Sequence, residues 1–139
     1  MMMGTKWVEF SAGLPADLVI TGIPISPLSY LEPVRLTEAL NAGIGMTAAE
    51  AESQSPMVNH PPSTNASQLV AVGGNETKEF HRQAQMYVDA FSSGDRSMEI
   101  YVVPDADHFD ELNVLADLNS PFFSKTLDIL RSTNMSERS

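Results

Sequence analysis

Cysteine is absent from this 139-residue chain. That absence removes disulfides, thiolate nucleophiles and cysteine-based zinc sites together, and cytoplasmic residence is the expectation that goes with it. Long apolar runs are missing too. No stretch approaches the roughly 18 apolar residues that mark a membrane-crossing helix, and Met1-Met2-Met3-Gly4-Thr5-Lys6-Trp7 lacks the apolar core of a secretory signal. Positive charge is scarce: 8 basic residues face 18 acidic ones, a net charge of −10. Nucleic acid carries the same sign and would be repelled. The acidic residues are scattered, which reads as a solubility feature. Phosphate-binding patterns are also lacking, since neither Gly-x-Gly-x-x-Gly nor a Walker sequence follows Gly73-Gly74.

What is present is enough for one folded domain. A hydrophobic content of 42% argues against disorder, and the length is too short for two domains of ordinary size. Residues 17–26 form a short β-branched run, a buried strand in which Pro24 should weaken pairing. Residues 30–40 read as a helix with Pro33 in its first turn. Thr47 and Glu50 make a capping box for a second helix that ends before Ser55-Pro56. After a polar, proline-rich loop at 59–67, residues 68–73 give the next strand. Residues 78–92 form an amphipathic helix with Phe80, Ala84, Tyr87 and Phe91 on one face. Residues 97–103 are a third strand, stopped by Pro104. The final helix, 121–131, should turn Phe123, Thr126, Leu127 and Leu130 inward, and 132–139 is expected to be a polar, frayed tail.

This β-α-α-β-α-β-α order predicts an α/β fold in three layers, a mostly parallel sheet with helices on both faces. Three strands leave at least one sheet edge open. A second copy of the chain or a complementary chain are the partners expected there.

Two residues stand where an α/β sheet does chemistry, beyond the carboxyl ends of its strands. Glu76 follows the second strand by three residues and His108 follows the third by about five. Adjacent parallel strands would bring them side by side. A carboxylate on one imidazole nitrogen fixes the tautomer and stabilises the imidazolium formed when the other nitrogen takes a proton. The alternative for His108, within Asp105-Ala106-Asp107-His108-Phe109-Asp110, is a solvated histidine among carboxylates. His81 reads as a surface residue and His60 as part of a loop. Three widely spaced histidines form no zinc pattern, so neither a metal nor an organic cofactor is expected. No serine sits in a Gly-x-Ser-x-Gly elbow. Ser11 has no strand before it, and Ser26 is followed by Pro27.

Several stretches, in order, resemble the kynurenine formamidase (arylformamidase) branch of the α/β-hydrolases. They are Gly13-Leu14-Pro15-Ala16-Asp17, Leu31-Glu32-Pro33-Val34, Ser55-Pro56, Glu79-Phe80-His81-Arg82-Gln83, Asp107-His108-Phe109, Leu115-Ala116-Asp117 and Asn119-Ser120-Pro121. The similarity spans roughly residues 5–131, and carboxylesterases of the same superfamily share much of it. It implies that residues 1–131 are the C-terminal part of an α/β-hydrolase domain. The implied activity is metal-free hydrolysis of N-formyl-L-kynurenine or a related small amide or ester by a serine hydrolase. His108 matches the catalytic histidine of that branch, and Glu76 falls where its triad acid, often aspartate, is found. The oxyanion His-Gly-Gly segment and the nucleophile elbow are not matched. Residues 26–30 also replace the turn that the branch tends to have. Met1 to Trp7 resembles the end of the helix that follows the elbow, so the chain is expected to supply acid and base and to be inactive alone. One alternative function is a non-catalytic or decayed module that binds a partner through the open sheet edge; another is an independent flavodoxin-like binding domain, for which Ser26-Pro27-Leu28-Ser29 is a poor phosphate loop.

Overall fold

A computed structural model describes residues 13–15, 18–59 and 65–136. Its sheet has three parallel strands: β1 (Thr21–Gly22), β2 (Ser67–Gly73) and β3 (Met98–Val103), in the spatial order β1-β2-β3. Between β1 and β2 lie four short helices: α1 (Glu32–Leu36), α2 (Glu38–Ile44), α3 (Ala48–Gln54) and α4 (Pro56–Asn59). Helix α5 (Lys78–Phe91) links β2 to β3, and α6 (Asp110–Ala116) and α7 (Pro121–Ser136) follow β3. The molecule is therefore of the general α/β class. No helix among the described residues is long and apolar enough to cross a membrane.

Strand β2 is central because its sequence can be buried on both sides. Leu69, Val70, Ala71 and Val72 are all within 1% of full burial, as a covered parallel strand requires. Alternation sends successive residues to opposite faces. Leu69 and Ala71 pack with Val103, Ala106 and Phe122 on the side of α6 and α7. Val70 packs with Ala84 and Tyr87 of α5 on the other. Phe122 is fully buried and stacks on Tyr101, with ring centroids 5.3 Å apart.

Several elements differ from the sequence expectation, each for a local reason. The strand expected over 17–26 is regular only at Thr21–Gly22, with a further isolated bridge between Ile25 and Ala71. Pro24 has no N–H to give, yet its carbonyl accepts from Ala71 N at 2.8 Å and Ser26 N donates to Ala71 O at 2.9 Å. The helix expected over 30–40 is two helices that part at Thr37, whose ψ is 100°. Thr37 Oγ1 donates to Pro33 O at 2.8 Å, the side-chain competition that interrupts helices. The Thr47–Glu50 capping box is present as read.

Helix α6 is not among the elements that the sequence predicts, because the residue it turns inward is an acid, Glu111, which breaks the apolar periodicity. Helix α7 continues through residues 132–136, where a frayed tail was expected. Its inner face agrees with the expectation at Thr126 but is shifted by one residue at Phe122 and Ile129. Phe122 and Thr126 are buried and Ile129 packs on the core, while Leu130 is exposed. Met1 to Trp7, Ser11, His60 and most of the 59–67 loop lie outside the described residues.

Candidate functional site

The site forms where β2 and β3 end. Gly73 closes β2 at a point where no side chain fits: a Cβ there would lie 2.5 Å from the backbone oxygen of Ala106. This close approach brings the turn after β2 against the loop after β3. Three hydrogen bonds hold the two together. Gly74 N donates to Val103 O at 2.8 Å, Asn75 N to Ala106 O at 2.9 Å, and Asn75 Nδ2 to Asp105 O at 2.9 Å. Asp105 takes a left-handed φ of 58°, which aspartate tolerates better than most residues. Asp107 then accepts from the N–H groups of Phe109 and Asp110 at 2.8 and 3.1 Å. These bonds open α6 and leave His108 projecting from the bend.

Glu76 and His108 meet as the strand register requires. Glu76 Oε1 lies 2.7 Å from His108 Nδ1. The carboxylate side chain is 1% exposed and the imidazole 49%, so a buried acid backs a half-open base. The ring of Phe80, from the first turn of α5, lies 4.9 Å from the imidazole at a tilt of 33°. The other oxygen, Glu76 Oε2, accepts from Gly73 N at 2.9 Å. With Nδ1 taken by Glu76, Nε2 is the nitrogen left for a reacting group. His81, on α5, does not join this cluster.

Two further residues belong to the cluster that sequence reasoning did not select. Ser26 Oγ lies 2.5 Å from Glu76 Oε2 and 2.5 Å from Glu111 Oε2. Ser26 is buried, and its φ of 41° is in the left-handed region, unusual for a non-glycine residue. Its hydroxyl bonds to the two acids and not to His108, so it is not placed as a nucleophile. The segment after it is held from two directions. Gln83 Oε1 accepts from Tyr30 N, and Ser55 Oγ accepts from Leu31 N, both at 2.9 Å.

Glu111 is fully buried, and its Oε1 has no hydrogen-bond partner. Burial pushes its carboxyl above the ordinary carboxylate range, and the neighbouring Glu76 charge adds to the rise. The Ser26 hydroxyl, His108 and the Gly73 N–H pull the other way. Its sequence neighbours give no signal for it, because an acid at an inward position of a short helix breaks the apolar pattern that would reveal that helix.

Glu76, His108 and Glu111 each place one donor atom within 4.8 Å of the others, a spacing that a divalent cation could bridge. The oxygens of Glu76 are already engaged by His108, Gly73 and Ser26, so hydrogen bonding accounts for the arrangement without an ion. Chemically, the cluster can hold a histidine in one tautomer and stabilise a proton on it. No family model matches the chain, and no curated protein or solved structure matches it either.

Proposed function

We propose that Glu76 and His108 are the acid and base of a serine-hydrolase site of the arylformamidase or carboxylesterase kind, on part of an α/β-hydrolase fold. The observation that carries this reading is the 2.7 Å bond from a buried Glu76 carboxylate to Nδ1 of a half-exposed His108. In such a site His108 Nε2 takes the proton of a serine hydroxyl as the oxygen attacks the substrate carbonyl, and later returns it to the leaving group. Glu76 holds the imidazole in the tautomer that leaves Nε2 free, and stabilises the imidazolium. The substrate is a small amide or ester such as N-formylkynurenine. The nucleophile is a serine in a Gly-x-Ser-x-Gly turn, a pattern that this sequence does not contain. Acting by itself, the chain supplies the base and its orienting acid without turnover.

The test compares the purified chain alone with the chain combined with a segment that carries a Gly-x-Ser-x-Gly serine. Hydrolysis of N-formylkynurenine and of p-nitrophenyl acetate is the readout. Expected are no turnover alone, turnover in combination, and a loss of about 10⁴–10⁶-fold in that turnover on His108→Ala, the scale of losing a triad member. Turnover that survives His108→Ala sinks the assignment. A burst from the chain alone, abolished by changing one of its own serines, sinks the inactivity of the lone chain.

A further inference from the structure

The cluster holds one proton too few if both of its glutamates are ionised. Ser26 Oγ lies 2.5 Å from an oxygen of Glu76 and 2.5 Å from an oxygen of Glu111, but a hydroxyl has a single hydrogen to donate. With two carboxylates, one of these contacts would set lone pairs against each other with no proton between. A second proton resolves the conflict, and the surroundings decide where it sits. Glu76 has both oxygens engaged elsewhere, Oε2 by Gly73 N–H at 2.9 Å and Oε1 by His108 Nδ1 at 2.7 Å. Glu111 is fully buried, and its second oxygen is unpaired. Such an oxygen is far costlier on a charged carboxylate than on a neutral acid.

We infer that Glu111 is a neutral carboxylic acid whose Oε2–H donates to Ser26 Oγ, while Ser26 Oγ–H donates to Glu76 Oε2, making Glu111 a positioning residue for the Glu76–His108 pair. No covalent bond to a heavy atom changes, and the extra proton stays on Glu111. Ser26 and Gly73 together fix Glu76 Oε2, which leaves Oε1 turned to the imidazole. The left-handed backbone of Ser26, immediately before Pro27, is local strain accepted where the hydroxyl must enter between two acids. The groups that face Glu111 are Ser26 from the end of the β1 segment, Gly73 and Glu76 from the end of β2, and His108 from its own loop. The role rests on the acid–base reading above, whereas the protonation does not.

Infrared spectroscopy of the whole chain at neutral pH, unlabelled and with ¹³C-glutamate, tests the protonation. The expected result is a carbonyl-stretch band of a protonated carboxyl that moves with the glutamate label, persists in Glu76→Gln and is lost in Glu111→Gln. Absence of the band from the unmutated chain, or its survival in Glu111→Gln, overturns the inference. Should Glu111→Gln fail to fold, alkaline titration of the labelled, unmutated chain decides. The band must disappear only above the ordinary carboxylate range, and disappearance within that range overturns the inference.

The ¹⁵N signals of the His108 ring test the positioning. Glu111→Gln, whose amide can still donate to Ser26, should keep the Nδ1-protonated signature, and Ser26→Ala should lose it in part. Unchanged signals in Ser26→Ala overturn the positioning role. Neither measurement needs turnover, so a failed hydrolysis assay leaves both intact, and a missing band leaves that assay unaffected.

Discussion

At the scale of single residues, the site depends on one backbone contact and one buried acid. Gly73 allows the β2 turn to touch the backbone of Ala106. Gly73→Ala forces a Cβ into that contact and should cost about 1–3 kcal/mol, the range of overpacking in a close-fitted region. Urea denaturation measures the loss, and the Glu76–His108 bond should weaken with it. Glu111 gives a pH dependence with a definite sign. Its folded-state pKa lies above the unfolded value, chiefly through burial, so the folded chain binds the proton more tightly. The corresponding stability is fully present below the ordinary carboxylate pKa and is lost as pH rises through the folded value. Glu111→Gln should flatten the stability profile above the ordinary carboxylate range. An unchanged slope in urea titrations across pH would show that Glu111 is not its source.

At the scale of elements, the turns and short helices do the positioning and the sheet supplies the rigidity. Segment 26–31 has little regular structure, yet its polar groups are paired through Ser26, Gln83 and Ser55, as buried backbone requires. Gln83 is itself fully buried, with its amide donating to Glu79 at 2.9 Å. The segment that carries Ser26 is thereby braced by α5 and by the end of α3. Helix α7 anchors the opposite side of the core through Phe122. Phe122→Ala should destabilise the fold by about 3–5 kcal/mol, measurable as a lower urea midpoint. Phe123→Ala, on the partly buried neighbour, should cost clearly less. A larger effect at Phe123 would mean that the inward face of α7 is misassigned.

At the scale of the molecule, charge is lopsided and the sheet is small. A net charge of −10 makes the folded state repel itself, and salt screens such repulsion over about 10 Å at 0.1 M. Added sodium chloride should therefore raise the urea midpoint between low and physiological ionic strength. A midpoint that falls would mean that attractive pairs such as Lys125–Glu99 at 2.6 Å outweigh the net repulsion. With the order β1-β2-β3, the two-residue β1 and the longer β3 are the edges of the described sheet. The edge beside β1 is where a further strand of a hydrolase sheet would add under the proposed function.

The sequence by itself determined the alternation of strands and helices, the strand at 68–73, and the capping box at Thr47. Those signals are local: apolar runs, caps and proline positions act on neighbours a few residues away. It also placed Glu76 and His108 at one sheet edge, because parallel pairing of adjacent strands leaves little choice. Tertiary structure alone decided the rest of the cluster. Ser26 and Glu111 are 85 residues apart in sequence, and nothing short-range links them. They meet because β1 pairs with β2 and because α6 turns an acid inward, where burial keeps a proton on it. Hydrophobic pattern reading misses such a residue by construction, since it expects apolar side chains wherever the chain faces its core.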